Sequence, residues 1–187
     1  MRNIFFLITI LLFSCNSKTN EKTAIEEPVY KAPKITGAKY FNYDELIHYK
    51  SEIEENKLRG VDENKHKSEL DSLKYNVILR DIPKSIKDTG FINKLEKLGY
   101  SKTEVGKEKF EEINKIFVEK KHKEIIGYAC DYVYRDILIF KHKSKTIGIA
   151  KLCFGCNGNQ IVGTKANTEE FGMDGDYEKL AKILESK

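Results

Sequence analysis

The chain has 187 residues, with 33 lysines and arginines against 29 acids and a formal net charge of +4. One third of its residues are charged, with the two signs interspersed, and no basic block is long enough to argue for a nucleic-acid surface. The length suits one domain plus a terminal extension, and a domain of that size can bury enough surface to fold without a metal or a disulfide.

Residues 1–15 read MRNIFFLITILLFSC. Arg2 supplies a short positive start, and Ile4 to Phe13 is apolar except for Thr9. That run is too short for a mature transmembrane helix and fits the apolar region of a secretory signal. Leu12-Phe13-Ser14-Cys15 resembles a bacterial lipoprotein lipobox: aliphatic at −3, small at −1, cysteine at +1. Phe13 at −2 is bulkier than most lipoboxes prefer. The resemblance implies that residues 1–14 are a signal peptide removed on export. Cys15 then carries a diacylglyceryl group on sulfur and usually an acyl chain on its amine. Each buried CH₂ adds about 0.8 kcal/mol, so two or more chains make a stable membrane anchor and no other cofactor is implied. The plainer alternative is an ordinary signal peptide with an incidental cysteine.

Residues 15–36 are expected to form the lipidated cysteine and a flexible tether. The stretch is polar, contains Pro28 and Pro33, and has no sustained periodicity. Asn16, in place of an aspartate at +2, leans toward the outer membrane. The absence of an acidic cluster after Cys15 favours the periplasmic side over the cell surface.

Residues 37–187 are expected to be a single α+β domain. Around Leu46-Ile47 and Tyr49 the pattern fits a strand or a helix, and Gly60 to Lys67 is a charged loop. Leu73, Tyr75, Val77 and Leu79 alternate with Lys74, Asn76, Ile78 and Arg80, which predicts a strand over 73–80 ended by Asp81-Ile82-Pro83. A helix follows, with Asp88 as cap, Phe91 or Ile92 with Leu95 and Leu98 as its face, and Gly99 at C′. Ser101-Lys102-Thr103-Glu104 reads as a capping box opening a second helix, whose stripe is Phe110, Ile113 and Phe117, widened by Ile116 and Val118. Such a stripe is read as core packing. The basic run Lys120-Lys121-His122-Lys123 is read as a helix carboxyl end.

A hairpin is the second organising stretch. Ile137 to Phe140 is continuously apolar, which suggests a strand covered on both faces. A turn centred on Lys143-Ser144 would set Phe140 opposite Ile147 and Leu138 opposite Ile149. It would also bring Cys130, Cys153 and Cys156 to one end of the sheet. Gln160 to Gly163 reads as a short edge strand. Asp176 is expected to cap a last helix through about Glu185, with Tyr177, Leu180 and Leu184 buried.

Cys153-Phe154-Gly155-Cys156 is the motif with chemical content. A redox pair would need a helix after the first cysteine, and Asn157-Gly158-Asn159 is a turn instead. A zinc site would need a fourth ligand, with His142 or His122 the candidates, and His142 belongs at the far end of the hairpin. A structural disulfide between Cys130 and either Cys153 or Cys156 is the preferred reading, leaving one small buried thiol. Arg135-Asp136, beside the thiols, is a candidate binding pair. No nucleophile elbow or metalloprotease helix occurs, and Asp174-Gly175-Asp176 lacks the other positions of a calcium loop. No catalytic residue or metal ligand is therefore nominated.

Cys130, Arg135, Phe140 and Leu152-Cys153-Phe154-Gly155-Cys156 resemble the C-terminal half of uncharacterised secreted or lipid-anchored proteins of Bacteroidota. The resemblance spans roughly residues 75–187 and implies no particular activity. The sequence thus predicts an antiparallel or mixed sheet of about five strands packed with two or three helices. It carries two functional expectations. The first is a membrane-anchored, non-catalytic envelope lipoprotein whose partner is a protein, glycan or small ligand. The second is a thiol-redox or metal-handling protein using Cys130, Cys153 and Cys156.

Overall fold

A computed structural model of the chain describes residues 35–122 and 130–186. Its centre is a five-stranded antiparallel sheet in the order β3-β2-β5-β6-β7. The strands are β2 (Glu45–Ser51), β3 (Tyr100–Glu104), β5 (Asp136–His142), β6 (Lys145–Cys153) and β7 (Gly158–Val162). A second, two-stranded sheet pairs β1 (Ile35–Lys39) with β4 (Val118–Lys120). β1 takes up Ile35 and Thr36, the end of the stretch expected to be tether. The helices are α1 (Glu55–Glu63), α2 (Glu69–Leu79), α3 (Phe110–Ile116) and α4 (Asp176–Glu185). The fold is α+β, and no helix among the described residues is long and apolar enough to cross a membrane.

Side chains alternate across a strand, so a central strand that is apolar throughout must have cover on both sides. Leu138 and Phe140 of β5 join Leu46, Ala150 and Leu152 in a core closed by Ile113, Ile116 and Phe117 around α3 and by Tyr177 and Leu180 of α4. Ile137 and Ile139 point the other way, into a core with Ile47, Tyr49 and Ile149. Leu58 of α1, Val77 and Ile78 of α2, and Phe91, Leu95 and Leu98 close that side.

The first core is aromatic. Phe41 and Phe140 lie 4.4 Å apart between ring centroids, and Phe117 sits 4.9 Å from Phe140 and 4.8 Å from Phe171. Gly148 makes room for this cluster, since a Cβ there would lie 2.2 Å from the Phe41 ring. Gly148→Ala is expected to lower stability by about 1–3 kcal/mol through overpacking, read as a reduced urea midpoint.

Where structure and sequence expectations differ, local chemistry explains it. Residues 69–79 form a helix, not the expected strand. Ser68 Oγ accepts from the Asp71 amide at 3.1 Å and donates to the Asp71 carboxylate at 2.7 Å, a reciprocal cap. The capping-box pattern at Ser101–Glu104 lies instead in β3, because β2 offers a partner edge and buries Tyr100 at the strand start. α3 therefore begins only at Phe110, after a 3-10 turn, with Ile113 and Phe117 buried as the stripe required. Residues 91–98 are a run of tight turns with one short 3-10 segment, not a full helix. Their apolar face is nonetheless buried, and Gly99 adopts φ +95°, as a C′ glycine does.

The hairpin turn falls on Lys143-Ser144, both at positive φ, with the Asp44 carboxylate accepting from the Lys143 amide. A bulge between Phe140 and Lys141 moves the rest of the register by one residue, so Phe140 faces Gly148 and Leu138 faces Ala150.

Lysines meet the carboxyl ends of all four helices. Lys67 Nζ donates to the carbonyls of Asp62, in the last turn of α1, and Asn64, just after it. Lys151 donates to those of Arg80 and Ile82 after α2. Lys120 donates to Lys115 in α3, and Lys109 to Ser186 at the end of α4. At each end a lysine amine reaches at least one carbonyl of the last turn or C-cap, where the helix leaves acceptors open and its dipole is negative.

Candidate functional site

β6 ends at Cys153, and the chain turns back through Phe154-Gly155 to enter β7 at Gly158. The Cys156 amide donates to the Cys153 carbonyl at 3.3 Å, which tightens the turn. The sequence left the partner of Cys130 open. The structure pairs Cys130 with Cys156, at a Cα separation of 6.2 Å. Cys153 is a free thiol, 3% exposed, on the last residue of β6. The three sulfur residues do share one end of the sheet, as the hairpin required.

The disulfide borders a cleft of about 540 Å³. One wall is the chain from Cys130 to Tyr134. The opposite wall is Leu79, Arg80 and Asp81, at the end of α2, with Asp62 from α1 beyond. Asn159 and Gln160 of β7 close the remaining side. The Tyr134 amide donates to the Ile78 carbonyl at 2.9 Å, which ties the two walls together. The Tyr132 and Tyr134 rings lie 6.0 Å apart. Tyr132 is 38% exposed, unusual for so large a side chain among these residues, whereas Tyr134 is buried and its hydroxyl pKa is pushed up to about 12 by burial, with Tyr132 and Cys153 adding to the effect.

The wall at residues 80–83 is held from two sides. Gln160 Nε2 donates to the carbonyls of Asp81 and Pro83 at 3.0 and 2.8 Å. Lys151, wholly buried, donates to the carbonyls of Arg80 and Ile82 at 2.5 and 2.9 Å, and its Nζ lies 4.2 Å from the Tyr134 ring centroid. Burial lowers its pKa from 10.5 to about 7, against a smaller opposing pull from Asp81. Lys151 thus supports the cleft from beneath. Neither Lys151 nor Gln160 carries a sequence signature: a lysine in an apolar strand reads as the solvent side of an alternation. The signal that could have been used is the run Ile147 to Cys153, in which Lys151 interrupts a strand otherwise free of charge.

Arg135 and Asp136 engage different partners. Arg135 Nε donates to the Ile53 carbonyl at 3.1 Å and holds the chain entering α1. Asp136 is 7% exposed, 2.8 Å from His48 Nε2. That buried pair escaped the sequence reading because its members lie on different strands, and only the β2–β5 register brings them together.

Of the basic run, Lys120 ends β4 and Lys121 and His122 follow it, where a helix carboxyl end was expected; Lys123 lies outside the described residues. Lys120 pairs with the buried Asp176, and His122 Nδ1 lies 3.2 Å from the Asp174 carboxylate. Asp176 is the first residue of α4 and caps nothing; Gly175 holds the N-cap position and Asp176 also faces Lys179 at 3.4 Å. His142 sits at the hairpin tip, 3.2 Å from Asp44. Among the described residues, no group of three or more histidine, cysteine or acidic side chains is placed to hold a metal ion. Cys15 lies outside the described residues.

Comparison of the chain with protein-family models, with curated proteins and with solved structures found no match.

Proposed function

We propose that this protein is a bacterial envelope lipoprotein, anchored through lipid on Cys15, that binds a ligand in the cleft beside Cys130–Cys156. Asn16 after Cys15, with no acidic cluster following, favours the periplasmic side of the outer membrane. The observation that carries the binding role is the fixing of both cleft walls: the disulfide on one, Lys151 and Gln160 on the other. Walls already ordered do not have to be ordered by the ligand, so little binding energy is lost on closing the site. The anchoring role rests on the lipobox-like Leu12-Phe13-Ser14-Cys15.

The reading assigns the cysteines a structural duty, with Cys153 a packed thiol. Expression of the full chain in a two-membrane bacterium tests the anchor. The wild type should partition into the detergent phase, and Cys15→Ser should not. Equal partition of the two would remove the anchor from the proposal. Rapid alkylation of native Cys153 would instead favour the thiol-redox reading.

A further inference from the structure

We propose that the cleft takes a neutral or amino sugar. This rests on the cleft being a binding site, as argued above, and adds the class of ligand. Three observations converge on it.

The first is the aromatic wall. A Cβ on Gly158 would lie 2.3 Å from the Tyr132 ring, so the ring rests directly on β7 backbone. Glycine allows that approach, and the ring's remaining surface is left to the cleft, at 38% exposure. A flat ring held by backbone on one side suits the C–H face of a pyranose, which is apolar in the plane where its hydroxyls are not.

The second is an acceptor left open. Gln160 lines the cleft, and its amide orientation is set because Nε2 faces two carbonyls. Its Oε1 is buried and accepts no hydrogen bond from the described residues. A buried acceptor without a donor costs about 1–3 kcal/mol, and a ligand hydroxyl or N–H would recover it.

The third is charge. Asp62, Asp81 and Asp131 line the cleft, Arg80 is the one cation among its described lining residues, and Arg80 Nε is already engaged by the Tyr75 hydroxyl at 2.8 Å. Carboxylates accept from sugar hydroxyls and from an ammonium, and they repel an anionic ligand. A volume of about 540 Å³ holds one to two sugar rings.

The test uses the mature full chain in a detergent without a sugar headgroup. Calorimetric titrations with chitotriose, cellotriose, maltotriose and glucosamine are compared with trigalacturonate as an anionic counter-probe. The expected result is saturable binding of at least one neutral or amino sugar and weaker binding of trigalacturonate. Tyr132→Ala should weaken the sugar by about tenfold or more, and Tyr132→Phe, which keeps the ring, by no more than about twofold. Melting temperatures identify a variant that fails to fold, and Tyr132→Leu, which fills the place without an aromatic face, then decides by the same loss. Preferred binding of trigalacturonate, or unchanged binding by folded Tyr132→Ala, overturns the proposal. Amide shifts at Tyr132, Asn159 and Gln160 separate the two claims. If trilysine moves them and no sugar does, the sugar class falls and the cleft remains a binding site. If neither moves them, both fall.

Discussion

Replacing Lys151 with methionine should abolish most of the stability that the wild-type chain gains between about pH 7 and about pH 9. Lys151 carries a proton in the unfolded chain until near 10.5, and burial lowers that value to about 7 in the native state. Below pH 7 both states hold the proton, and the native state bears the whole cost of a buried ammonium. Above it the native state releases the proton while the unfolded chain keeps it, so stability rises with pH until the unfolded lysine also titrates. Each pH unit in that window contributes up to about 1.4 kcal/mol, or about 2 kcal/mol over the interval. The neutral amine still has two N–H groups for the carbonyls of Arg80 and Ile82, so the cleft wall survives deprotonation. Lys151→Met removes both donors and should cost about 2–4 kcal/mol at pH 7. Urea unfolding of both chains across the range measures it. Parallel pH profiles would mean that Lys151 is not buried as described.

The second large effect concerns the disulfide. It joins residues 26 apart in sequence, and loop-closure entropy for a ring of that size is worth about 3–4 kcal/mol. Cys130→Ser with Cys156→Ser should therefore lower stability by about that amount. Cys153→Ala, which only trims a buried side chain, should cost about 1–2 kcal/mol. The reverse ranking would place Cys153 in the bond and contradict the pairing.

Much of this architecture could be read from the residues because it rests on period and punctuation. The unbroken Ile137–Phe140 run, the Lys143-Ser144 turn and the α4 stripe each follow from a local rule. The failures share a cause. At 68–80 an alternating pattern and a reciprocal Ser68–Asp71 cap point to different structures, and the cap prevailed because both Val77 and Ile78 are buried against the sheet. At 101–104 the same kind of signal lost to a strand partner that lies some fifty residues away in the chain. The cleft was legible only in its cysteines. Lys151, Gln160 and the carbonyls of residues 80–83 meet through tertiary structure, with cis Pro83 in the loop, and no spacing in the sequence announces them. Arg135-Asp136 looked like a pair because the two are adjacent, but Arg135 turns to the Ile53 carbonyl and Asp136 to His48.

Amide hydrogen exchange across the cleft walls tests the central claim most directly. The Tyr134 amide bonds to the Ile78 carbonyl, and the Ile82 amide to that of Asn76. If both walls are preformed, these two amides should exchange as slowly as those of β5 in the oxidised, ligand-free protein. On reduction the Tyr134 amide should lose protection before the Ile82 amide, which Lys151 and Gln160 still hold. Exchange of both at the rate of an open loop, with the disulfide intact, would show that no fixed cleft exists and would contradict the account.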